Sequence, residues 1–426
     1  MSKRSSLPGF RDFYPGDLAV RSKIFGAWRE AAHRFGFEEY DGPPLEPLEL
    51  YTEKSGEEIV GQLYNFTDKG GREVALRPEM TPTLARMAGA RASALRKPIR
   101  WFSIPQLFRY ERTQRGRLRE HFQWNVDILG EGAVLADAEV LAVALTALEL
   151  LGLDATEVEA RINDRRLLER LLLHWGVPLG RLGVVYSIVD KLGREEEERT
   201  RERLYAEAGL DEETVGKIFG IFEHEGFEEF AAAYRGVEGL GEELDRLTDY
   251  FEDLEALGFG DYARFDPTIV RGLAYYTGIV FEIFDRAGEL RAVCGGGRYD
   301  DLLRAVSGAD LSGVGFGMGD VVIGELLADR GLLPEYSPHL DYYLIAVRPE
   351  ERRLLLELGH DLRRAGYSVG YGLRPIGVGR QFRDADARGA ARVVILGPDE
   401  VARGEVVVRE MDSGIERTVE LGSLIS

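Results

Sequence analysis

The chain has 426 residues, enough for two or three domains, and a formal net charge of −20 on a composition typical of globular proteins. No apolar run is long enough to span a bilayer, and the start, Met-Ser-Lys-Arg-Ser-Ser-Leu-Pro-Gly, carries no apolar signal segment. Its one cysteine, Cys294, excludes an internal disulfide and a cysteine-rich metal site, so a cytoplasmic protein with no membrane partner is expected, and the acidic total argues against strong non-specific binding to nucleic acid.

Pro8-Gly9-Phe10-Arg11-Asp12 reads as an irregular entry segment. Ile24, Phe25, Trp28, Ala32 and Phe35 recur at helical spacing, which predicts a helix over Arg21–Phe35 that Gly36 stops. Pro43-Pro44-Leu45-Glu46 then belongs to a helix–loop–strand unit. Leu63–Leu76 reads as a hairpin with Asp68-Lys69-Gly70-Gly71 as its turn. It delivers Leu76-Arg77-Pro78-Glu79-Met80-Thr81, where a carboxylate beside a proline suits either a helix cap or a ligand contact.

Phe108-Arg109-Tyr110-Glu111-Arg112 reads as a strand, with Arg109 and Glu111 on one face. The loop Thr113–Glu120 holds Arg115, Arg117 and Arg119. In the return strand, His121–Gly130, Phe122, Trp124, Val126 and Ile128 alternate with Gln123, Asn125 and Asp127. Such a polar face is either solvated or the floor of a pocket; three arginines in the loop beside it suit a polyphosphate or RNA. Asp137–Leu151 is an amphipathic helix, Val158–Ile162 a short strand, and Asn163 caps a helix carrying Leu167, Leu168, Leu171 and Leu172. From about Val185 to Gly258 the pattern is helical and acidic. Gly193–Gly258 alone holds 21 acidic against 7 basic residues, the signature of a solvated helix face.

Thr268–Leu303 is the stretch that organises the chain. Thr-Ile-Val-Arg-Gly-Leu-Ala-Tyr-Tyr-Thr-Gly-Ile-Val-Phe-Glu has a strand's residues, yet it places Arg271 among apolar neighbours, which is costly unless the cation meets an anion. After a polar turn, Ala-Val-Cys-Gly-Gly-Gly-Arg-Tyr-Asp-Asp-Leu-Leu follows, and Gly295–Gly297 admit close approach by another backbone or a ligand. Gly313-Val-Gly-Phe-Gly-Met-Gly319 is a glycine-rich strand leading into a helix, without the βαβ surroundings of a dinucleotide fingerprint. Leu332-Leu333-Pro334-Glu335-Tyr336-Ser337-Pro338 reads as a linker. Beyond it strands (Tyr342–Val347, Tyr367–Tyr371, Val393–Leu396, Glu405–Arg409, Arg417–Glu420) alternate at first with helices (Glu350–Ala365, Gly379–Gly389), which predicts a small α/β domain.

Thr268–Leu303 resembles the two signature segments of histidyl-tRNA synthetases, R-G-L-x-Y-Y-T-G-x-V-F-E and C-x-G-G-R-Y-D. Phe108–Arg112 with its loop is similar to the second class II signature, F-R-x-E; Gly313–Gly319 has the shape of the third; Pro43 is the best match to the first, which serves a dimer interface. The resemblance covers the chain from Pro8 to its last strand. It implies an α+β class II synthetase core, an antiparallel sheet flanked by helices, over residues 1–330. A helical insertion at about 185–258, a linker at 331–339 and an α/β anticodon-binding domain at 340–426 complete it.

The function implied is ATP-dependent activation of L-histidine to histidyl-adenylate and transfer to the 3′ end of tRNA(His), by a homodimer. Arg109 and Arg271 would be the catalytic cations and would also meet the histidine. Asp127 and Tyr276 would read the imidazole nitrogens, Glu79, Thr81 and Gln123 would hold the amino group, and Tyr275 and Tyr299 would line the pocket. Glu111 would take the adenine amino group, and Mg²⁺ would bridge the outer phosphates. The third signature usually carries an arginine for the terminal phosphate, where this chain has Asp320-Val321-Val322; that clamp then falls to Arg117 or Arg119 of the loop. Ala274 replaces a common aspartate, and Asp127 stands where many relatives carry glutamate. Arg374, Arg380, Gln381 and Arg383 are candidate RNA contacts. The alternatives are a non-catalytic paralogue acting as a histidine-sensing regulatory subunit of ATP phosphoribosyltransferase, and a sensing or RNA-binding protein that cannot form adenylate.

Overall fold

The computed structural model describes residues 6–52, 61–189, 192, 195–224, 226–269, 275–288 and 290–424. Val270–Ala274, and with them Arg271, lie outside the described residues. The chain divides into two compact units, Met1–Pro334 and Glu335–Ser426.

In the first unit α1 (Pro15–Arg34) leads to β1 (Glu38–Glu39); β2 (Leu45–Pro47), β3 (Tyr64–Thr67) and β4 (Glu73–Leu76) form a small antiparallel sheet, and α2 (Thr81–Ala90) follows. Then come β5 (Ile99–Ser103), β6 (Gln106–Phe108), β7 (Glu120–Leu129), α3 (Val134–Leu150), β8 (Val158–Asp164) and α4 (Arg165–His174). After five helices among the described residues between Leu182 and Ala256 the chain returns as β9 (Ala263–Phe265), β10 (Ile279–Asp285), β11 (Cys294–Arg298), β12 (Gly313–Gly319) and α5 (Asp320–Asp329). The main sheet runs β1-β5-β7-β12-β11-β10-β8-β9, with β6 paired to β7 off this path. Its middle is antiparallel and only its two outer pairs, β1–β5 and β8–β9, are parallel.

One face of this sheet is the core. Trp28 of α1 stacks on Trp124 of β7, with ring centroids 5.9 Å apart, and Trp124 meets Phe316 of β12 edge-on at 5.0 Å. Offset and edge-on pairs like these favour one packing beyond the area they bury. The helix expected to be amphipathic over Asp137–Leu151 is instead α3, in which almost every residue from Ala136 to Leu148 is buried, because it is apolar on all sides and wedged under a sheet.

Several boundaries differ from the sequence reading. The first helix begins at Pro15, whose fixed φ suits a first turn, and not at Arg21. The strand expected over Phe108–Arg112 ends at Phe108: the Arg109 N–H still reaches the Arg119 carbonyl in register at 3.0 Å, but the Arg119 N–H turns to the Gly9 carbonyl at 3.0 Å and the Tyr110 N–H to that of Gln62 at 2.8 Å. The cap of α4 is Asp164, which accepts from the Arg166 N–H at 2.8 Å; the Asn163 amide instead donates to the carbonyls of Pro267 and Ile269. The strand expected from Thr268 onward begins at Ile279.

In the second unit β13 (Leu340–Ala346), α6 (Arg352–Arg364), β14 (Val369–Tyr371), α7 (Val378–Ala387), β15 (Ala390–Leu396), β16 (Glu405–Glu410) and β17 (Glu416–Glu420) form a sheet ordered β14-β13-β15-β16-β17. Its first three strands are parallel, with α6 and α7 as the crossovers that parallel pairing demands.

Candidate active site

The other face of the main sheet is the floor of a cleft of about 830 Å³. Register explains how it is built. Residues directly opposite in antiparallel strands share a face, so Val280, Gly297, Gly315 and Asp127 form one row across β10, β11, β12 and β7. Glu282, Gly295, Gly317 and Asn125 form the next, and Gly319 lies opposite Gln123. Gln123, Asn125 and Asp127 of β7 therefore each face a glycine on β12. The glycines are required by space: a Cβ on Gly315 would lie 2.1 Å from Oδ1 of Asp127, and one on Gly317 2.8 Å from the Gln123 amide. The side chains of Asp127 and Gln123 lie across the neighbouring strand, where a side chain would otherwise stand.

Asp127 is buried and accepts a short hydrogen bond from the Tyr299 hydroxyl. Burial raises its pKa to about 7, against the lowering effect of the Tyr299 bond. The cleft thus holds a carboxylate that changes charge near neutrality, poised to become an anion when a donor arrives. Tyr275, Tyr276 and Tyr299 wall this end; Tyr275 packs on Tyr276 at 4.9 Å and edge-on against Tyr299 at 6.0 Å.

Glu79 and Thr81 enter from the start of α2, whose N-cap is Met80 with no side-chain capping bond. The run is held by Arg77, which is buried and donates to Asp41, the Gly42 carbonyl and the Gln106 carbonyl at 2.7–3.1 Å. Arg109 donates through Nε to the Pro78 carbonyl at 2.9 Å, and its guanidinium also lines the cleft. Beside it, His121 is kept neutral: burial and then the charges of Arg109 and Arg11 lower its pKa to about 3.

The structure thus brings Glu79, Thr81, Arg109, Glu111, Arg117, Gln123, Asp127, Tyr275, Tyr276 and Tyr299 to one cleft. Arg117 is ion-paired to Glu111. Arg119 is not in the lining: its guanidinium lies 4.1 Å over the Tyr110 ring, and its Nε donates to the Glu111 carbonyl. The sequence reading missed Glu282 and Arg291, which also line the cleft. The alternation Val280-x-Glu282-x-Phe284 carried the signal for Glu282; nothing in the pattern marked Arg291. Four carboxylates, Glu79, Glu111, Asp127 and Glu282, line the cleft, but no metal-ligand cluster of three occurs among the described residues. A hard cation here would rely mainly on oxygens a substrate brings with it.

In the second unit a separate hollow of about 610 Å³ is lined by Arg374, Arg380, Arg383 and Arg388. Gln381, expected beside them, is buried and donates to the carbonyls of Ala346 and Ile376, so its amide serves the fold.

Residues 9–319 match the family model described as Histidyl-tRNA synthetase, and residues 341–426 the one described as Anticodon binding domain. The histidine–tRNA ligase of Opitutus terrae is 44% identical across 98% of this chain and 96% of its own. The chloroplastic/mitochondrial histidine–tRNA ligase of Arabidopsis thaliana is 38% identical across 98% of this chain and 85% of its own. A solved histidyl-tRNA synthetase from Nostoc sp. PCC 7120 shares the fold with a TM-score of 0.82 at 23% identity, covering 100% of this chain and 98% of that one.

Proposed function

The chain belongs to the histidyl-tRNA synthetase family and is an ATP-dependent histidine–tRNA ligase, and we propose that the glycine-floored cleft is where it joins histidine to AMP before passing it to tRNA. The observation that carries this assignment of the site is the row Asp127–Gly315–Gly297, closed by Tyr299: a buried carboxylate over a strand stripped of side chains.

In this reading the imidazole lies in the space the glycines leave. One ring N–H donates to Asp127, and the Tyr276 hydroxyl meets the other nitrogen. A site built to satisfy both nitrogens rejects isosteres that lack them, because its own polar groups would be left unpaired. Burial disfavours the Asp127 anion in the empty cleft, and a ring donor restores it. Glu79, Thr81 and Gln123 hold the amino group, which points the substrate carboxylate along β12 towards Arg109.

A carboxylate oxygen of histidine then attacks the α-phosphorus of ATP, the bond to the bridging oxygen breaks, and pyrophosphate leaves. Charge gathers on the α-phosphoryl oxygens, and fixed guanidinium groups stabilise it without proton transfer. Arg109 and Arg271 are proposed to meet this charge. Glu111 accepts from the adenine amino group, held in place by Arg117. Mg²⁺ arrives with ATP as part of the substrate. In the second step the terminal ribose hydroxyl of tRNA(His) attacks the histidyl carbonyl and AMP leaves.

The second unit carries anticodon recognition, with Arg374, Arg380 and Arg383 supplying phosphate or base contacts. The working form is a homodimer in the cytoplasm, with the segment around Pro43 at its interface. The regulatory reading is disfavoured by a C-terminal unit that matches an anticodon-binding model. Histidine-dependent exchange of pyrophosphate into ATP tests the proposal. Arg271→Ala should lower exchange by about 10²–10³-fold with little change in histidine affinity; an unchanged rate removes Arg271 from the mechanism, and a wild-type chain that binds histidine without exchange refutes the ligase.

A further inference from the structure

The segments that carry Tyr276 and Tyr299 are stapled together through one residue. The Thr277 N–H donates to the Arg298 carbonyl at 2.8 Å, and the Thr277 hydroxyl accepts from the Asp300 N–H at 3.0 Å. Tyr276 directly precedes this staple and Tyr299 lies inside it. A Cβ on Gly297 would lie 3.0 Å from Cδ1 of Tyr276, so the Tyr276 ring rests on the bare strand in the row of Asp127. Tyr299 ends in its short bond to Asp127. The setting of both rings therefore depends on what holds Thr277.

The first turn of α4 does this. Pairing of Asp164 with Ile279 brings it beside the start of β10. The Arg165 N–H donates to the Gly278 carbonyl at 3.1 Å, and Nε of Arg166 donates to the Thr277 carbonyl at 2.8 Å. These are the carbonyls of the two residues that follow Tyr276. A Cβ on Gly278 would lie 2.4 Å from Nη2 of Arg166 and 3.1 Å from its Cζ, so the guanidinium occupies the place that glycine leaves. Glu243, on the helix Gly241–Ala256, and Asp300 stand 3.7 and 4.0 Å from its Nη atoms. At those distances they favour the charge without fixing its direction, which the Thr277 carbonyl sets. Arg166 borders a hollow of about 430 Å³ lined also by Arg246, Thr277 and Asp300, and Glu243 is paired with Arg246 as well. Truncating Arg166 would thus enlarge a polar space and leave Glu243 a cation, unlike loss of the buried Arg298.

We propose that Arg166 is a positioning residue for amino-acid recognition: by fixing the backbone at Thr277 it sets the Tyr276 hydroxyl where it meets the imidazole nitrogen that Asp127 does not. The inference rests on the ligase reading for the identity of the amino acid. A charged donor suits the task, because its bond to a carbonyl is stronger than a neutral one and its planar fork is pre-organised.

The test is a double-mutant cycle read by equilibrium binding of histidine, and separately of ATP, to the full-length chain. Arg166→Ala should weaken histidine by about 10-fold and leave ATP unchanged, with Arg166→Lys intermediate because it keeps a charged donor. Gly278→Ala, which displaces the fork but keeps the charge, should give the same selective loss, and it carries the cycle if Arg166→Ala does not fold. In a Tyr276→Phe background either change should cost histidine less than twofold, since the hydroxyl being positioned is gone. Additive losses overturn the proposal, as do a Tyr276→Phe variant that binds histidine like the wild type, a parallel loss of ATP affinity, or no loss in Arg166→Ala and Gly278→Ala. Absence of histidine-dependent exchange in the wild type would instead strike the ligase reading, while the histidine cycle still reports on Arg166.

Discussion

Asp127→Asn separates what this carboxylate costs the fold from what it gives the substrate. Burial carries Asp127 from 3.8 to about 7, a shift of about 3 pH units, each 1.36 kcal/mol. The ionised form is therefore disfavoured in the folded chain by at most about 4 kcal/mol. The sign follows from proton binding. Between 3.8 and 7 the folded state holds a proton that the unfolded state has released, so this residue's contribution to stability falls as pH rises through that window and is level above it. Asparagine cannot titrate. The stability of the variant minus that of the wild type should rise by about 2 kcal/mol between pH 5.5 and pH 8, offset at every pH by the cost of an amide lacking its acceptors.

His121, whose pKa is lowered to about 3, adds a slope of opposite sign, but it is common to both proteins and cancels in the difference. Urea unfolding followed by tryptophan fluorescence is the assay, because Trp28, Trp101, Trp124 and Trp175 all lie in the first unit. Histidine at 100 times its Kd should add about 2.7 kcal/mol to the wild type and almost nothing to the variant. A difference that is flat in pH, or that falls as pH rises, would refute the reasoning, as would equal protection of both proteins by histidine.

Gly315→Ala should abolish histidine-dependent exchange, since the new methyl would meet Asp127 and the Val126 carbonyl at 2.1 and 2.6 Å; a rate within threefold of wild type would mean that the carboxylate can move aside at no cost. Arg109→Ala should lower the single-turnover rate of adenylate formation by about 10²-fold or more; a change confined to the KM for histidine would assign Arg109 to binding alone. Arg298→Ala should destabilise the first unit by about 3–5 kcal/mol in the same urea assay, because Asp137 would be left buried without its cation.

Where one face of a strand packs and the other is polar, the sequence could be read directly. β7 is the clearest case: Trp124, Val126 and Ile128 must go inward, and the intervening residues are thereby placed on the cleft. The glycine run of β12 was equally legible as a strand entering a helix. What periodicity could not reveal was that β12 lies between β7 and β11 and sets each glycine against a named polar partner, because pairing joins segments about 190 residues apart. Local competition explains the smaller errors. Asn163 and Asp164 are both plausible caps, and the choice depended on Asn163 finding distant carbonyls. The ladder beyond Phe108 was lost because a distant residue, Gly9, takes the Arg119 N–H. Arg291 belongs to a turn, where sequence patterns are weakest and only coordinates tell which way a long side chain lies.

The bare lane along β11 and β12 has a consequence for anyone wishing to change which amino acid the cleft accepts. If the cleft reads histidine as proposed, selectivity in this floor is written largely as missing atoms, so a hydrogen at 315 carries as much information as the carboxylate at 127. Swapping the reader while leaving the void untouched would yield a roomy, undiscriminating site, and productive variants should therefore surface as coupled changes across the two strands. The opposite side of the same ribbons, clad in Trp124 and Phe316, can be left alone during such a search, since it secures the scaffold without touching the cargo.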